Sequence, residues 1–328
     1  MLRLPPHQYH RPETVEEALQ LLATHGEDAM IISGGTDLLP NMKHGLFEPA
    51  HLVSLRHLKT LQTIRLEGGE LRIGAGVTLA AVSRDPLVVE HAPSLALASG
   101  LVAGPQLRNM GTLGGNVCLD TRCTYYNQSR FWRKALGYCL KKDGTVCHVT
   151  KVGKKCVAAH SADTPPVLMT LGARLLLQGS EGTEEIPVDE FFVSDGIWNT
   201  RRRRDQILTE IRIPILDGIR RSAYRKLRQR NAIDFPLLSV AVSADLADDG
   251  RVSAIRGVVS GLGARPKVLT GWEDIAAGNP LDQGVVAALA ERAESQCRPL
   301  ENIIVDPEWR RAMVPVYVER ALQDLVRN

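Results

Sequence analysis

Five of the six cysteines in this 328-residue chain fall between Cys118 and Cys156, a window of under forty residues. The stretches between them are polar and basic, among them Lys141-Lys142-Asp143-Gly144 and Lys151-Val152-Gly153-Lys154-Lys155. Little apolar side chain is available there to build a core, so these stretches are expected to be loops pinned by their thiols. The N-terminus, Met1-Leu2-Arg3-Leu4-Pro5-Pro6, has no long apolar stretch behind a basic start, and no run approaches transmembrane length. A cytoplasmic chain with reduced thiols is therefore expected. In that setting a cysteine cluster points to metal or catalysis before disulfides.

From Cys123 the cysteines step by 16, 8 and 9 residues, to Cys139, Cys147 and Cys156. Zinc sites usually pair cysteines twice at C-x2-4-C, and that pairing is missing. Iron–sulfur ligation needs four thiolates but tolerates irregular spacing. Density argues against scattered free thiols, while spacing alone leaves iron–sulfur and structural zinc level. The nearby lysines would offset the charge of a four-thiolate site. Cys297 stands far away in a helical stretch and is expected to pack.

Two glycine turns flank this window on its N-terminal side. Ser33-Gly34-Gly35-Thr36-Asp37-Leu38 follows an expected strand at Ala29–Ile32. Paired glycines let a backbone approach a ligand and aim successive N–H groups at an anion, although a tight strand-to-helix turn needs them too. Thr112-Leu113-Gly114-Gly115-Asn116 repeats the chemistry with a side-chain amide. Two such turns suit a diphosphate held from both sides. Neither is G-x-G-x-x-G, and no Walker-type loop is present, which disfavours a Rossmann domain or a nucleotide triphosphatase.

The rest of the chain organises around these turns. It opens β-α-β, with a helix Val15 to Thr24 begun by a capping box at Thr14 and Glu17 and ended by Gly26. Short strands follow at His51–Ser54, Thr63–Glu67 and Glu70–Ala75. Helical patterns follow from Thr78, at Ser94 to Val102 and at Pro165 to Leu171, then strands at Arg174 to Gly179 and Ile207 to Ile215. A boundary is expected at Leu216-Asp217-Gly218. Beyond it lie longer strands, Ser222–Arg228, Leu237–Leu246 and Val252–Gly261, with a hairpin turn at Asp248-Asp249-Gly250. Helices Val285–Gln296, with Gly284 just ahead, and Glu308–Val326 complete a sheet backed by helices. The fold class is α+β, in two domains, 1–217 and 218–328. A net charge of +3 gives no electrostatic case for nucleic acid, and Arg201 to Arg204, with no interleaved aromatics, is expected to be a solvated loop or a subunit contact.

The two turns resemble the FAD-diphosphate motifs of the flavoprotein (medium, or beta) subunits of the molybdenum hydroxylase, or xanthine dehydrogenase, family. The likeness runs on through Leu71-Arg72-Ile73-Gly74-Ala75-Gly76, His160-Ser161-Ala162-Asp163, Tyr224-Arg225-Lys226 and Phe235-Pro236. It implies a two-part FAD-binding domain of the vanillyl-alcohol-oxidase type followed by the family's C-terminal domain. FAD contacts are implied for Ser33 to Leu38 and Thr112 to Asn116, with Asp120, Gln128, Asp163 and Lys226 as further candidates. Asp163 is also placed to cap a helix, and Lys226 to be a solvated strand lysine.

Most of that family lacks the cysteine-rich insertion of about 118–157. The run Cys118-Leu119-Asp120-Thr121-Arg122-Cys123-Thr124-Tyr125-Tyr126 and the later steps are similar to the beta subunits of 4-hydroxybenzoyl-CoA reductases, which carry a [4Fe-4S] cluster there. That likeness implies Cys123, Cys139, Cys147 and Cys156 as ligands and leaves out Cys118. It implies an oxidoreductase subunit with no catalytic residue of its own. Electrons would pass from a ferredoxin-like donor through the cluster and FAD to partner [2Fe-2S] centres and molybdenum. Partners would be a large molybdopterin subunit and a small [2Fe-2S] subunit, in a heterotrimer or its dimer. The same subunit could serve a hydroxylase oxidising a purine, aldehyde or N-heterocycle. A zinc-stapled binding module with no redox role is the alternative from another class.

Overall fold

Capping and chain reversal at the N-terminus follow the local signals closely. In the computed structural model, which describes residues 2–151, 153–216 and 218–327, strand β1 (Gln8–His10) leads into a helix over Val15–His25. The Glu17 N–H donates to Thr14 Oγ1 at 3.1 Å, while the Glu17 carboxylate reaches back to the N–H of Glu13 and not to that of Thr14. Gly26 ends the helix at φ 51°. Strands β2 (Ala29–Ile32) and β3 (His51–Ser54) complete a parallel sheet in the order β1-β3-β2. The helix covers it, burying Val15, Ala18 and Leu22 with Val53 and Leu55.

A second, antiparallel sheet has the order β4-β5-β8-β6-β7, from β4 (Ile64–Glu67), β5 (Glu70–Gly74), β6 (Arg174–Gly179), β7 (Gly182–Pro187) and β8 (Ile207–Pro214). The sequence assigns β8 one inward face of Ile207, Thr209, Ile211 and Ile213. The structure buries Leu208 and Glu210 as well, because β8 is central and its register with β6 shifts at Leu176 and Leu177. Glu210 is neutralised by Arg65 and Arg212, each at 2.8 Å. Strand β7 escapes sequence reading. It is an exposed edge strand, Gly-Thr-Glu-Glu-Ile-Pro, with no apolar alternation to signal it.

The third sheet, order β12-β11-β10-β9, comprises β9 (Ile219–Leu227), β10 (Leu238–Leu246), β11 (Val252–Ser260) and β12 (Lys267–Val268), all antiparallel. One face packs Val240, Val242 and Trp272 onto helices Gln283–Gln296 and Pro307–Arg327. The other face, with Tyr224, Ala241 and Val258, joins the core built by helices Pro93–Gly100 and Thr164–Thr170. The sheet is thus covered on both sides, which explains why β10 is buried at nearly every position. The last-but-one helix starts at Gln283 and not Val285, because Asp282 caps it by accepting from the Val285 N–H at 2.9 Å, leaving Gly284 inside its first turn. The expected boundary runs through Asp217, which lies outside the described residues. Among the described residues no helix is long and apolar enough to cross a membrane. The α+β class stands as expected.

Candidate functional site: a nucleotide-sized cavity beside a cysteine pocket

A cavity of about 810 Å³ is lined by Ser33 to Leu38, by Thr112, Gly114, Gly115 and Asn116, and by Asp120 and Asp163. That volume lies towards the upper end of ligand sites, roughly 300–1,000 Å³, as a dinucleotide requires. The two glycine turns, 79 residues apart at Ser33 and Thr112, meet across it: Thr112 Oγ1 donates to Ser33 Oγ at 3.3 Å.

The first turn has the donors for an anion. Among the described residues, the N–H groups of Gly34, Gly35, Thr36 and Asp37 find no backbone acceptor. Gly35 takes φ 69°, so these donors turn together into a concave nest. Four successive unpaired donors at a cavity wall call for a ligand oxygen. Gly34 has a different task. A Cβ there would stand 2.0 Å from the carbonyl oxygen of Met110, so its bare Cα lets the segment leading into the second turn lie against the first. Gly34→Ala is expected to push the turns apart and weaken flavin binding at least about tenfold, the effect of roughly 1.4 kcal/mol. The FAD-to-protein absorbance ratio and a flavin titration measure this; unchanged affinity would show that the close approach is not needed.

The second turn works otherwise. It forms a short helix, Leu113–Val117, capped by Thr112, and the N–H groups of Leu113, Gly114, Gly115 and Asn116 all bond within the protein. It therefore supplies shape and not free donors. Gly114 packs against Ala75, where a Cβ would come within 2.6 Å of the alanine Cβ. Asn116 Oδ1 accepts from both N and Oγ1 of Thr164, at 3.1 and 2.7 Å, fixing the start of the helix Thr164–Thr170.

Other candidate residues divide. Asp37 lines the cavity but is held by Arg122, which also covers the Phe235 ring at 4.4 Å. Asp120 lines it with Oδ2 buried and unpartnered. Asp163 makes no side-chain cap bond; its two oxygens accept from Tyr224 at 2.6 Å and from Lys226 at 2.8 Å. Burial pushes the Asp163 carboxyl above its ordinary range, while Lys226 and Tyr224 pull it down. Lys226 is no solvated strand lysine: only 1% of its side chain is exposed. It stands behind Asp163 and not on the cavity wall, and Leu113 and Gln128 are likewise absent from that wall. Gln128 instead donates to the Thr124 carbonyl at 3.1 Å, inside the insertion.

Part of the wall is not signalled by the motifs. Trp198, Asn199, Arg202 and Arg204 line the cavity, with both guanidinium groups 5.7 Å from the Trp198 ring centroid. Asn199 Nδ2 is buried without a partner. Two of the four arginines expected in a solvated loop or a subunit contact therefore face the ligand space. Trp198, three residues ahead of the run, was the available signal.

Cys123, Cys139, Cys147 and Cys156 line one small cavity of about 20 Å³, and none is in a disulfide. Cys118 is not there; it faces the large cavity, and burial pushes its thiol up. Burial raises the Cys123 thiol to about 11. At Cys147 burial is outweighed by hydrogen bonds from Thr150 and from the backbone of Val149 and Val157, and the thiol is pulled down. The Ala158 N–H points at Cys156 Sγ, 3.5 Å away. The insertion is less bare than its composition suggests. Cys139 packs with Leu46 and Tyr126, and the buried Arg133 donates to the carbonyls of His44 and Gly45 at 3.1 and 2.8 Å.

Sulfur spacing bears on the two metal readings. A single zinc at about 2.3 Å from four sulfurs holds them about 3.8 Å apart. Among the described residues no three of the four thiols lie within 4.8 Å of one another. A cube of iron and sulfide, with ligands at its corners, takes such a wider set. The four thiols, the Ala158 N–H and the adjacent cation of Lys141 are the groups here that could hold a metal centre. Lys141 lines both cavities, as does Tyr126. Its Nζ donates to Asp120 at 2.6 Å and Thr121 Oγ1 at 2.5 Å, and lies 4.3 Å from the Tyr126 ring centroid.

Comparison with known proteins agrees with the large cavity. Residues 5–216 match the FAD binding domain in molybdopterin dehydrogenase, and residues 222–325 the CO dehydrogenase flavoprotein C-terminal domain. The carbon monoxide dehydrogenase medium chain of Hydrogenophaga pseudoflava is 29% identical over 97% of both chains. The nicotine 6-hydroxylase medium subunit of Paenarthrobacter nicotinovorans is 28% identical over 98% of both. The xanthine dehydrogenase FAD-binding subunit of Escherichia coli O157:H7 is 25% identical over 97% of this chain and 95% of its own. A solved carbon monoxide dehydrogenase structure from H. pseudoflava superposes with a TM-score of 0.82, covering 99% of each chain at 28% identity. With a nucleotide-sized cavity between two glycine turns, and both halves of the chain matched, the protein belongs to the FAD-binding subunits of the molybdenum hydroxylase family of oxidoreductases.

Proposed function

We propose that this chain is the FAD- and [4Fe-4S]-carrying electron-transfer subunit of a molybdenum-containing aryl-CoA reductase similar to 4-hydroxybenzoyl-CoA reductase. In this reading the FAD-binding domain is 1–217, with the cluster insertion at about 118–157, and the C-terminal domain is 218–328. The observation that carries it is the four-cysteine pocket, which shares Lys141 and Tyr126 with the large cavity. When bound, the cluster exchanges single electrons and FAD joins one-electron to two-electron steps.

The chain's own residues hold and tune these groups. The N–H groups of Gly34 to Asp37 receive the diphosphate, and Cys123, Cys139, Cys147 and Cys156 ligate the iron. Lys141, a buried cation between the sites, favours the more negative form of each and so raises both potentials. Partners are a large molybdopterin subunit and a small [2Fe-2S] subunit, in a heterotrimer or its dimer, with a ferredoxin-like protein exchanging electrons at the cluster. The relatives' names favour a second reading, in which the complex oxidises its substrate: they include CO dehydrogenases, a nicotine hydroxylase and a xanthine dehydrogenase. Purifying the whole complex and assaying it both ways decides. Reduction of 4-hydroxybenzoyl-CoA by reduced ferredoxin supports the first reading. Dye-linked oxidation of a purine, aldehyde or N-heterocycle, with the thioester inert, supports the second.

A further inference from the structure

Three imidazoles converge on the first sheet, and none of them lines either cavity. His10 ends β1, His51 begins β3, and His25 is the last residue of the helix Val15–His25. One ring nitrogen from each lies within 4.8 Å of the others, and all three residues are half-buried. His10 Nε2 stands 2.9 Å from His51 Nδ1, and the His25 ring stacks on that of His51 at a centroid distance of 3.6 Å.

This is a donor set with one internal hydrogen bond to share among three rings. Three neutral imidazoles on separate elements are the ligand type that suits zinc, nickel or copper. A tetrahedral ion at 2.0–2.1 Å from each nitrogen sets the nitrogens about 3.3 Å apart, so the His10–His51 pair needs only a small opening. His25 must swing out of its stack to point at the same ion. The helix that carries it helps, because its C-terminal carbonyls make that end favourable for a cation. Half-burial leaves a fourth position for water. The ion would also tie down β1, a three-residue edge strand.

We propose that His10, His25 and His51 form a binding site for a divalent transition ion of the zinc class, which fastens the N-terminal strand to the helix and to β3. The site shares no residue with the wall of the large cavity or with the cysteine pocket. The test uses the full chain with its cofactors in place, stripped of loose metal by a chelator, and zinc alone as the probe. Calorimetry is expected to give one site, and saturation to raise the Tm by roughly 3–5 °C. His10→Gln and His25→Gln should each weaken binding at least about tenfold and remove the Tm gain. His7→Gln, outside the trio, should keep both. FAD content reports that each variant is folded, and two separate histidine variants guard against the failure of one. Zinc affinity unaltered in both histidine variants, or no binding to the wild type below about 0.1 mM, overturns the proposal.

Discussion

A Cys139→Ser chain is expected to purify with its flavin and without its iron. Iron should fall from about four per chain to well below one, with the broad shoulder beside the flavin bands. The hydroxyl of serine is a poor iron ligand, and the three remaining thiols cannot close the site. Flavin should survive because Cys139 lies in neither turn, Ser33 to Leu38 or Thr112 to Asn116, and does not itself line the large cavity. The segment from Cys118 to Cys156 should become protease-sensitive, since its own apolar contacts are few: Leu46, Tyr126 and Cys139, with Phe47 and Cys123. Cys118→Ser is the contrast. That thiol faces the large cavity, so iron content should not change. Iron content and absorption spectra of the two variants check the assignment. Full iron in Cys139→Ser, or its loss in Cys118→Ser, would refute the ligand set.

Lys226→Met should lower stability by about 3–5 kcal/mol, out of a typical total of 5–15. Lys226 and Asp163 are both almost fully buried and 2.8 Å apart, and Tyr224 adds a bond of 2.6 Å to the other carboxylate oxygen. Lys226 and Tyr224 sit on β9 and Asp163 precedes the helix Thr164–Thr170, so the trio joins the third sheet to the flavin-binding part. Removing the cation strands a carboxylate in a dry site. Neutralising Asp163 as well, in Asp163→Asn with Lys226→Met, should recover part of the loss. Urea unfolding of the wild type, both single variants and the double variant measures the coupling. A Lys226→Met loss below about 0.5 kcal/mol would mean that the pair contributes no more than an exposed one.

Local chemistry made much of this fold readable. Thr14 capping the first helix, Gly26 ending it, and the runs at Ala29–Ile32, His51–Ser54 and Arg174–Gly179 all signal through a few neighbouring residues. Strand β7 has no such signal because an exposed edge needs no apolar face. The second cover on the third sheet comes from two helices upstream, one of them, Pro93–Gly100, more than a hundred residues away, which no local pattern announces. The site divides in the same way. Gly34 and Gly35 stand out in sequence, but the different tasks of the two turns depend on which N–H groups other segments satisfy. Lys226 reads as a flavin contact or as a solvated strand lysine among arginines until the fold brings Asp163 to it. Arg202 and Arg204 read as solvated until Trp198 and the cavity are seen together.

In the proposed reading the two cavities that share Lys141 and Tyr126 hold two redox centres in this single chain. Anaerobic purification followed by iron, sulfide, zinc and FAD analysis, with visible spectra before and after dithionite, tests it most directly. The account predicts one FAD per chain with about four irons and as many sulfides, and a flavin spectrum riding on a broad absorbance that bleaches on reduction. A yellow protein with zinc and no iron, or with flavin and no metal after anaerobic handling, would contradict it.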